Sequence, residues 1–215
     1  STAIVHNDHQ SVSISPHDPN VVLFGSNGAA DRMTYTPSNN NFSWAFLSRN
    51  LGITQFYKSN HHPTNPDIAL GGTQDNATPV VSGDLLNWRN KGGGDGGFAA
   101  INTNNPNIQY ATSQNLGVYR TTNNWNNSNG ISPNTGSDVK LFISPLVISK
   151  ADPNFVFAGT NYLWMWTESS QSWTARLGGQ QLSASSAARA PGTTPADVNR
   201  IYTSSRGGEP WLSRD

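Results

Sequence analysis

Apolar and polar residues alternate along most of this chain in short runs cut off by Pro, Asn and Gly, a pattern of period two rather than 3.6. Near the start, "QSVSIS", "NVVLFGS", "RMTYTP" and "SWAFLS" each read as a strand rich in β-branched and aromatic residues. Further on, "PLVISK", "NFVFAGT", "YLWMWTE" and "SWTARL" repeat the scheme. No stretch holds apolar residues at helical spacing for long enough to make a convincing helix, so the chain is expected to be all-β.

The strands recur in a fixed order. "SPHDPNVVLFGSNG" is echoed by "HPTNPDIALGGTQD", "NTNNPNIQYATSQN", "SKADPNFVFAGTNY" and, more faintly, "GTTPADVNRIYTSS". The marker prolines Pro19, Pro66, Pro106, Pro153 and Pro195 are 47, 40, 47 and 42 residues apart, about one four-stranded propeller blade. The expected architecture is a β-propeller of four-stranded antiparallel blades, about five in number, over residues 6–50, 51–94, 95–138, 139–182 and 183–215. These make a single domain or a contiguous part of one. Pro fixes φ and a flanking Asp or Asn bonds the local backbone, so Asp18, Asp67, Asp152 and Asp197 are expected to be turn-formers. The fifth repeat shows only "IYTSS" and "PWLSRD". "STAIV" at the start would supply a further strand if the ring closed on itself, but a larger ring in a longer chain is favoured, because it would cover the edge.

Composition narrows the chemistry. Lys and Arg number 13 against 13 Asp and Glu, and only 12% of residues are charged, which does not suit nucleic acid. There is no Cys, hence no disulfide and no thiolate chemistry. No apolar run approaches a membrane span, and the chain opens on Ser1, as expected of a processed or excised piece. Asn supplies about one residue in eight and there are seven Trp, a supply of amides and aromatic faces. Phosphate-loop, H-E-x-x-H and G-x-S-x-G motifs are absent from the sequence, and no cofactor is expected.

The run "VHNDHQSVSISPHDPNVVLFGSNG", then "LGITQFYKSNHHPTNPDIALGGTQDN", "GGGDGGFAAINTNNPNIQYA", "GVYRTT" and "DPNFVFAGTNYLW" resembles the bacterial secreted BNR/Asp-box β-propellers. These are similar to the sortilin (Vps10) propeller and to xyloglucanase-type glycoside hydrolases. The resemblance implies an extracellular or cell-surface protein whose partner is a polysaccharide or another extracellular protein. Its Asp-box, S-x-D-x-G-x-x-W, is degenerate here: "SNNNFSW", "SGDLLNW" and "ESSQSW" end at Trp44, Trp88 and Trp173, and only the second keeps an Asp, Asp84. Ala77 stands where the family has Gly after "GGTQDN".

Three groups carry candidate chemistry. In "HNDHQ", His6 and Asp8 share a strand face and His9 takes the other, so a metal or ligand site there needs a bend in the chain. The loops "GGTQDN" (Gln74, Asp75, Asn76) and "GGGDGG" (Asp95) could lock each other, form a binding rim, or bring Asp75 and Asp95 together as the carboxylate pair of glycoside hydrolysis, with Asp8 and Asp138 as further acids. In "YLWMW", Tyr162, Trp164 and Trp166 share one strand face, as stacking platforms for sugar or as packing between blades. The expected function is recognition, of carbohydrate or protein, with glycoside hydrolysis of β-glucans as the alternative and a peptide-binding, sortilin-like receptor as a third.

Overall fold

The computed structural model describes residues 8–26, 28–48, 54–189 and 191–214. The chain divides into two compact units, Ser1–Gln55 and Phe56–Asp215. The first holds one antiparallel sheet of β1 (His9–Ile14), β2 (Val21–Ser26), β3 (Ala30–Thr36) and β4 (Asn41–Phe46), in that order. Its two faces follow from the period-two pattern: Val22 pairs with Met33 and Met33 with Trp44, while the Phe24 and Trp44 rings lie 5.1 Å apart on the same side.

The second unit holds four sheets, each in chain order. They are β5 (Phe56–His61), β6 (Ile68–Thr73), β7 (Thr78–Ser82) and β8 (Arg89–Lys91); then β9 (Gly96–Ile101), β10 (Gln109–Ser113), β11 (Gly117–Thr121) and β12 (Asn129–Gly130). Next come β13 (Leu146–Ile148), β14 (Phe155–Gly159), β15 (Leu163–Thr167) and β16 (Ser172–Ala175), and last the three strands β17 (Gly192–Thr193), β18 (Ile201–Ser204) and β19 (Pro210–Ser213). Among the described residues helix is confined to single 3-10 turns, and none is long and apolar enough to cross a membrane. The first strands of successive sheets, β5, β9, β13 and β17, lie against one another, so these sheets stack as neighbouring blades do.

Each interface is an apolar layer whose residues come from the alternate faces of adjacent sheets. Leu70 and Val80 meet Ala99, Ile101, Ala111 and Trp125. Tyr110, Leu116 and Val118 meet Leu146, Val156, Ala158 and Trp166. Phe157 and Leu163 meet Leu182, Ala188 and Ile201. Successive residues of β14 thus serve opposite interfaces, Val156 one way and Phe157 the other, which is why that strand is apolar throughout. Trp125 carries no Asp-box signal, yet it is buried and its indole N–H donates to Gln109 Oε1 at 2.8 Å.

The turn between the first and second strand is built alike in the first four sheets. An acceptor side chain takes backbone N–H groups two and three residues on: Ser15 from His17 and Asp18, His62 Nδ1 from Thr64 and Asn65, Asn102 from Asn104 and Asn105, Ser149 from Ala151 and Asp152. The residue reached last then closes a backbone turn through its own carbonyl, as Asp18, Asn65, Asn105 and Asp152 do, and Asp197 closes the corresponding turn of the last sheet in the same way. Two sequence expectations are corrected here. In the second sheet the turn carboxamide is Asn65, whose Oδ1 accepts the Asp67 N–H at 3.0 Å; Asp67 is the donor, not the cap. In the last sheet the turn is Asp197-Val198-Asn199, with Asp197 Oδ1 accepting from Asn199 at 2.9 Å, so Pro195 lies three residues before the true equivalent of Pro153. A Pro marks the turn by fixing φ, but the local hydrogen bonds define it, and Val198 serves.

These turns make a direct prediction for His62. His62→Ala removes the acceptor for two N–H groups and is expected to cost about 1 kcal/mol, the usual cost of a lost cap. His62→Asn, which copies Asn102, is expected to hold stability within about 0.5 kcal/mol. Thermal unfolding of the two variants beside the native chain checks both.

Candidate functional site

The loops "GGTQDN" and "GGGDGG" meet between the second and third sheets. Ala77 forms a parallel bridge with Asp95, and the Ala77 N–H donates to the Gly94 carbonyl at 2.8 Å. Asp95 is the lock: Oδ1 accepts the Asp75 N–H at 3.0 Å and Oδ2 accepts the Tyr57 hydroxyl at 3.1 Å. The Gln114 side-chain amide, in its satisfied orientation, bonds the Asp95 backbone on both sides. Burial, then the hydrogen bond and charge of Asp95 and the charge of Asp75, push the Tyr57 hydroxyl above its ordinary range. Asn76 turns inward on its own loop, its amide donating to the Gln74 carbonyl at 3.1 Å.

This geometry changes the reading of Asp95. It is 6% exposed with both oxygens engaged, so it holds two loops rather than offering a carboxylate to a ligand. The adjoining cavity of about 30 Å³ has room for a water and none for a sugar ring. Asp75 and Ala77 both have left-handed backbones, with φ of 59° and 56°. For Ala77 that conformation costs about 1–2 kcal/mol, which accounts physically for the glycine at this place in the resembling propellers.

The other candidates separate. In the Ser1–Gln55 unit Asp8 and His9 are both exposed, His9 with its ring 5.3 Å from that of Phe24. His6 lies outside the described residues. Among the described residues no group of three His, Asp or Glu side chains is arranged to hold a metal ion.

The aromatic strand is where a cleft opens. Residues 134–138, Tyr162, Trp164, Ala175 and Gly179 line an open, shallow cleft of about 460 Å³ on the fourth sheet. Trp164 is held by its edge: its indole N–H donates to Asp138 Oδ2 at 3.0 Å and approaches Thr160 Oγ1 at 3.2 Å. The Thr160 hydroxyl in turn donates to the same Asp138 oxygen at 2.6 Å. The loop carrying Asp138 is tied down by the Val139 N–H to Asn161 Oδ1 and the Asn161 N–H to the Val139 carbonyl, both 2.9 Å. Trp164 also packs against the layer between the third and fourth sheets and is only partly buried, so its indole is fixed both by that layer and by a positioned carboxylate.

Trp166 does not join it. It shares a strand face with Trp164 but is 4% exposed, covered by the third sheet, so the expectation that it contacts a ligand is corrected. Its indole N–H donates to Glu168 Oε1 at 2.8 Å. Glu168 is not among the candidate residues the sequence marks, yet it is the hub of the contact between these sheets. Its carboxylate takes Arg120 Nε at 2.8 Å and Nη2 at 2.5 Å, plus the Tyr110 hydroxyl, joining the third sheet to the fourth. Burial alone would raise the Glu168 carboxyl, but the hydrogen bonds from Arg120, Tyr110 and Trp166 outweigh it and leave the group below its ordinary value. Burial, followed by the Glu168 hydrogen bond, pushes Tyr110 well above the usual phenol range.

No protein-family model matches this chain, and no curated protein matches it. Solved structures match it by fold. An ancestral GH74 enzyme superposes with a TM-score of 0.53 at 15% identity, over 94% of this chain and 29% of that one. The GH74 xyloglucanase from Xanthomonas campestris gives 0.54 at 12% identity, over 96% of this chain and 36% of its own. The β-propeller domain of Cps50 (Swd1) from Myceliophteria thermophila gives 0.51 at 10%, over 95% and 68%. At such identities the likeness is one of fold, and the fold is that of a β-propeller. The chain spans about a third of the length of the two GH74 structures.

Proposed function

We propose that this chain is an extracellular binding module of the Asp-box propeller type that recognises carbohydrate through the Trp164 cleft. The observation that carries the reading is the edge-held indole beside Asp138 in a 460 Å³ cleft. A sugar presents an apolar ring face to stack on an aromatic and hydroxyls for carboxylate and amide acceptors, and Tyr162, Asn134 and Ser137 complete that set of groups. The fold-level likeness to a xyloglucanase points to the same ligand class.

Binding is favoured over hydrolysis by one count. Glycoside hydrolysis uses two carboxyl groups flanking the bond, and Asp138 is the single carboxylate among the residues lining the cleft. Isothermal titration with soluble oligosaccharides, paired with a reducing-sugar assay, tests the proposal. Binding without release of reducing ends is expected. Trp164→Ala is expected to weaken binding at least about tenfold, the equivalent of roughly 1.4 kcal/mol of lost stacking. Turnover of a β-glucan by the native chain, or unchanged affinity in that variant, would refute the reading.

A further inference from the structure

We propose that the Trp164 cleft selects a protonated amino sugar, a pyranose bearing a free ammonium group, over the matching neutral sugar. The inference rests on the carbohydrate reading above and concerns which sugar is taken. Its basis is an unbalanced charge. Asp138 is the only charged side chain lining the cleft, and the only ion pair among the described residues joins Arg120 to Glu168 elsewhere. Two neutral donors, the Thr160 hydroxyl and the Trp164 indole, both reach Oδ2 of Asp138. They fix the plane of the carboxylate without neutralising it, and no described hydrogen bond uses Oδ1.

The walls favour a cation as well. Trp164 and Tyr162 line the same cleft, and an ammonium near an aromatic face is attracted by the ring quadrupole as well as by the carboxylate. An anionic sugar would meet Asp138 with no cation to offset it. A neutral sugar would leave its charge unanswered. The chain as a whole has a formal net charge of zero, so a preference for a cation must come from this local arrangement rather than from a diffuse field.

The test compares three tetrasaccharides by isothermal titration at mildly acidic pH: tetraglucosamine, its fully N-acetylated form and cellotetraose. The native chain is expected to bind tetraglucosamine at least tenfold more tightly than the other two. Asp138→Asn keeps a side-chain oxygen to accept from Thr160 while removing the charge, and is expected to abolish that preference, so that within the variant tetraglucosamine binds no more tightly than the other two sugars. The N-acetylated ligand makes the same comparison on the native protein, so the result does not depend on the variant folding. Equal affinities for all three sugars would overturn the amino-sugar proposal and leave the carbohydrate site standing. A preference that survives in Asp138→Asn would overturn it too. Failure of every sugar to bind would sink both readings together.

Discussion

Glu168→Ala is expected to destabilise the Phe56–Asp215 unit by about 3–5 kcal/mol, the cost of removing one partner from a buried ion pair. The Arg120 and Glu168 side chains are only 12% and 9% exposed, so the guanidinium left behind cannot be rehydrated cheaply. Tyr110 and Trp166 lose their acceptor at the same time. For a unit of this size the loss corresponds to a fall of roughly 10 °C in the unfolding midpoint. The effect is also pH-dependent, with a definite sign. Because the folded state holds the Glu168 carboxyl below its ordinary value of 4.5, its contribution is complete above that value and disappears as pH falls through the lower, folded one. Native and variant melting curves should therefore be far apart at pH 7 and converge under acid. Replacing both charges, Glu168→Leu with Arg120→Met, is expected to recover most of the loss, since an apolar pair of similar volume leaves no orphan. A drop of less than 1 kcal/mol in Glu168→Ala would show that the network adds little.

The strands were legible in the sequence, and this network was not, for one physical reason. Alternation is a property of neighbours, so "NFVFAGT" and "YLWMW" declare their strands and faces without reference to the rest of the chain. Glu168 meets Arg120 and Tyr110 from 48 and 58 residues away, and nothing in "TESSQSW" points to them. The tryptophans show the same limit at closer range. The period places Trp164 and Trp166 on one face, but whether a side chain is covered depends on the next sheet, which buries Trp166 and leaves Trp164 at a cleft. The chemistry of the cleft was half visible: Asp138 stood among the candidate acids, yet its tie to Trp164 arises because a loop 26 residues earlier folds back onto the strand.

Gly72→Ala carries the other large expected effect, again about 3 kcal/mol or more. A Cβ at Gly72 would run into the backbone oxygen and nitrogen of Gly97 and the carbonyl carbon of Gly96, on the first strand of the adjoining sheet. Backbone has no rotamer to yield, so β6 and β9 would have to separate and open the layer made by Leu70, Val80 and Ile101. Gly72 and Gly96, against the backbones of Gly97 and Ala77, are thus needed for close approach, whereas Gly92 and Gly94 serve the turn through their positive φ. Gly130→Ala serves as the control: a Cβ there meets nothing within 4 Å, and stability is expected to stay within about 0.5 kcal/mol. Urea midpoints for the two variants decide it, and a Gly72→Ala protein as stable as the native chain would mean that the two strands are not in contact.

The repeated turn between first and second strands has a consequence for how such a chain can grow. In the first two sheets the turn is closed by side chains and carbonyls of its own few residues, with no described hydrogen bond to a neighbouring sheet. A duplicated stretch of gene encoding one blade would therefore arrive with this corner already finished, whatever it landed beside. The third sheet is different. Asn102 uses its amide nitrogen to reach across to the Pro153 carbonyl in the next sheet's turn, at 2.9 Å. Those two blades are matched at their corners and would have to be copied, or lost, as a pair.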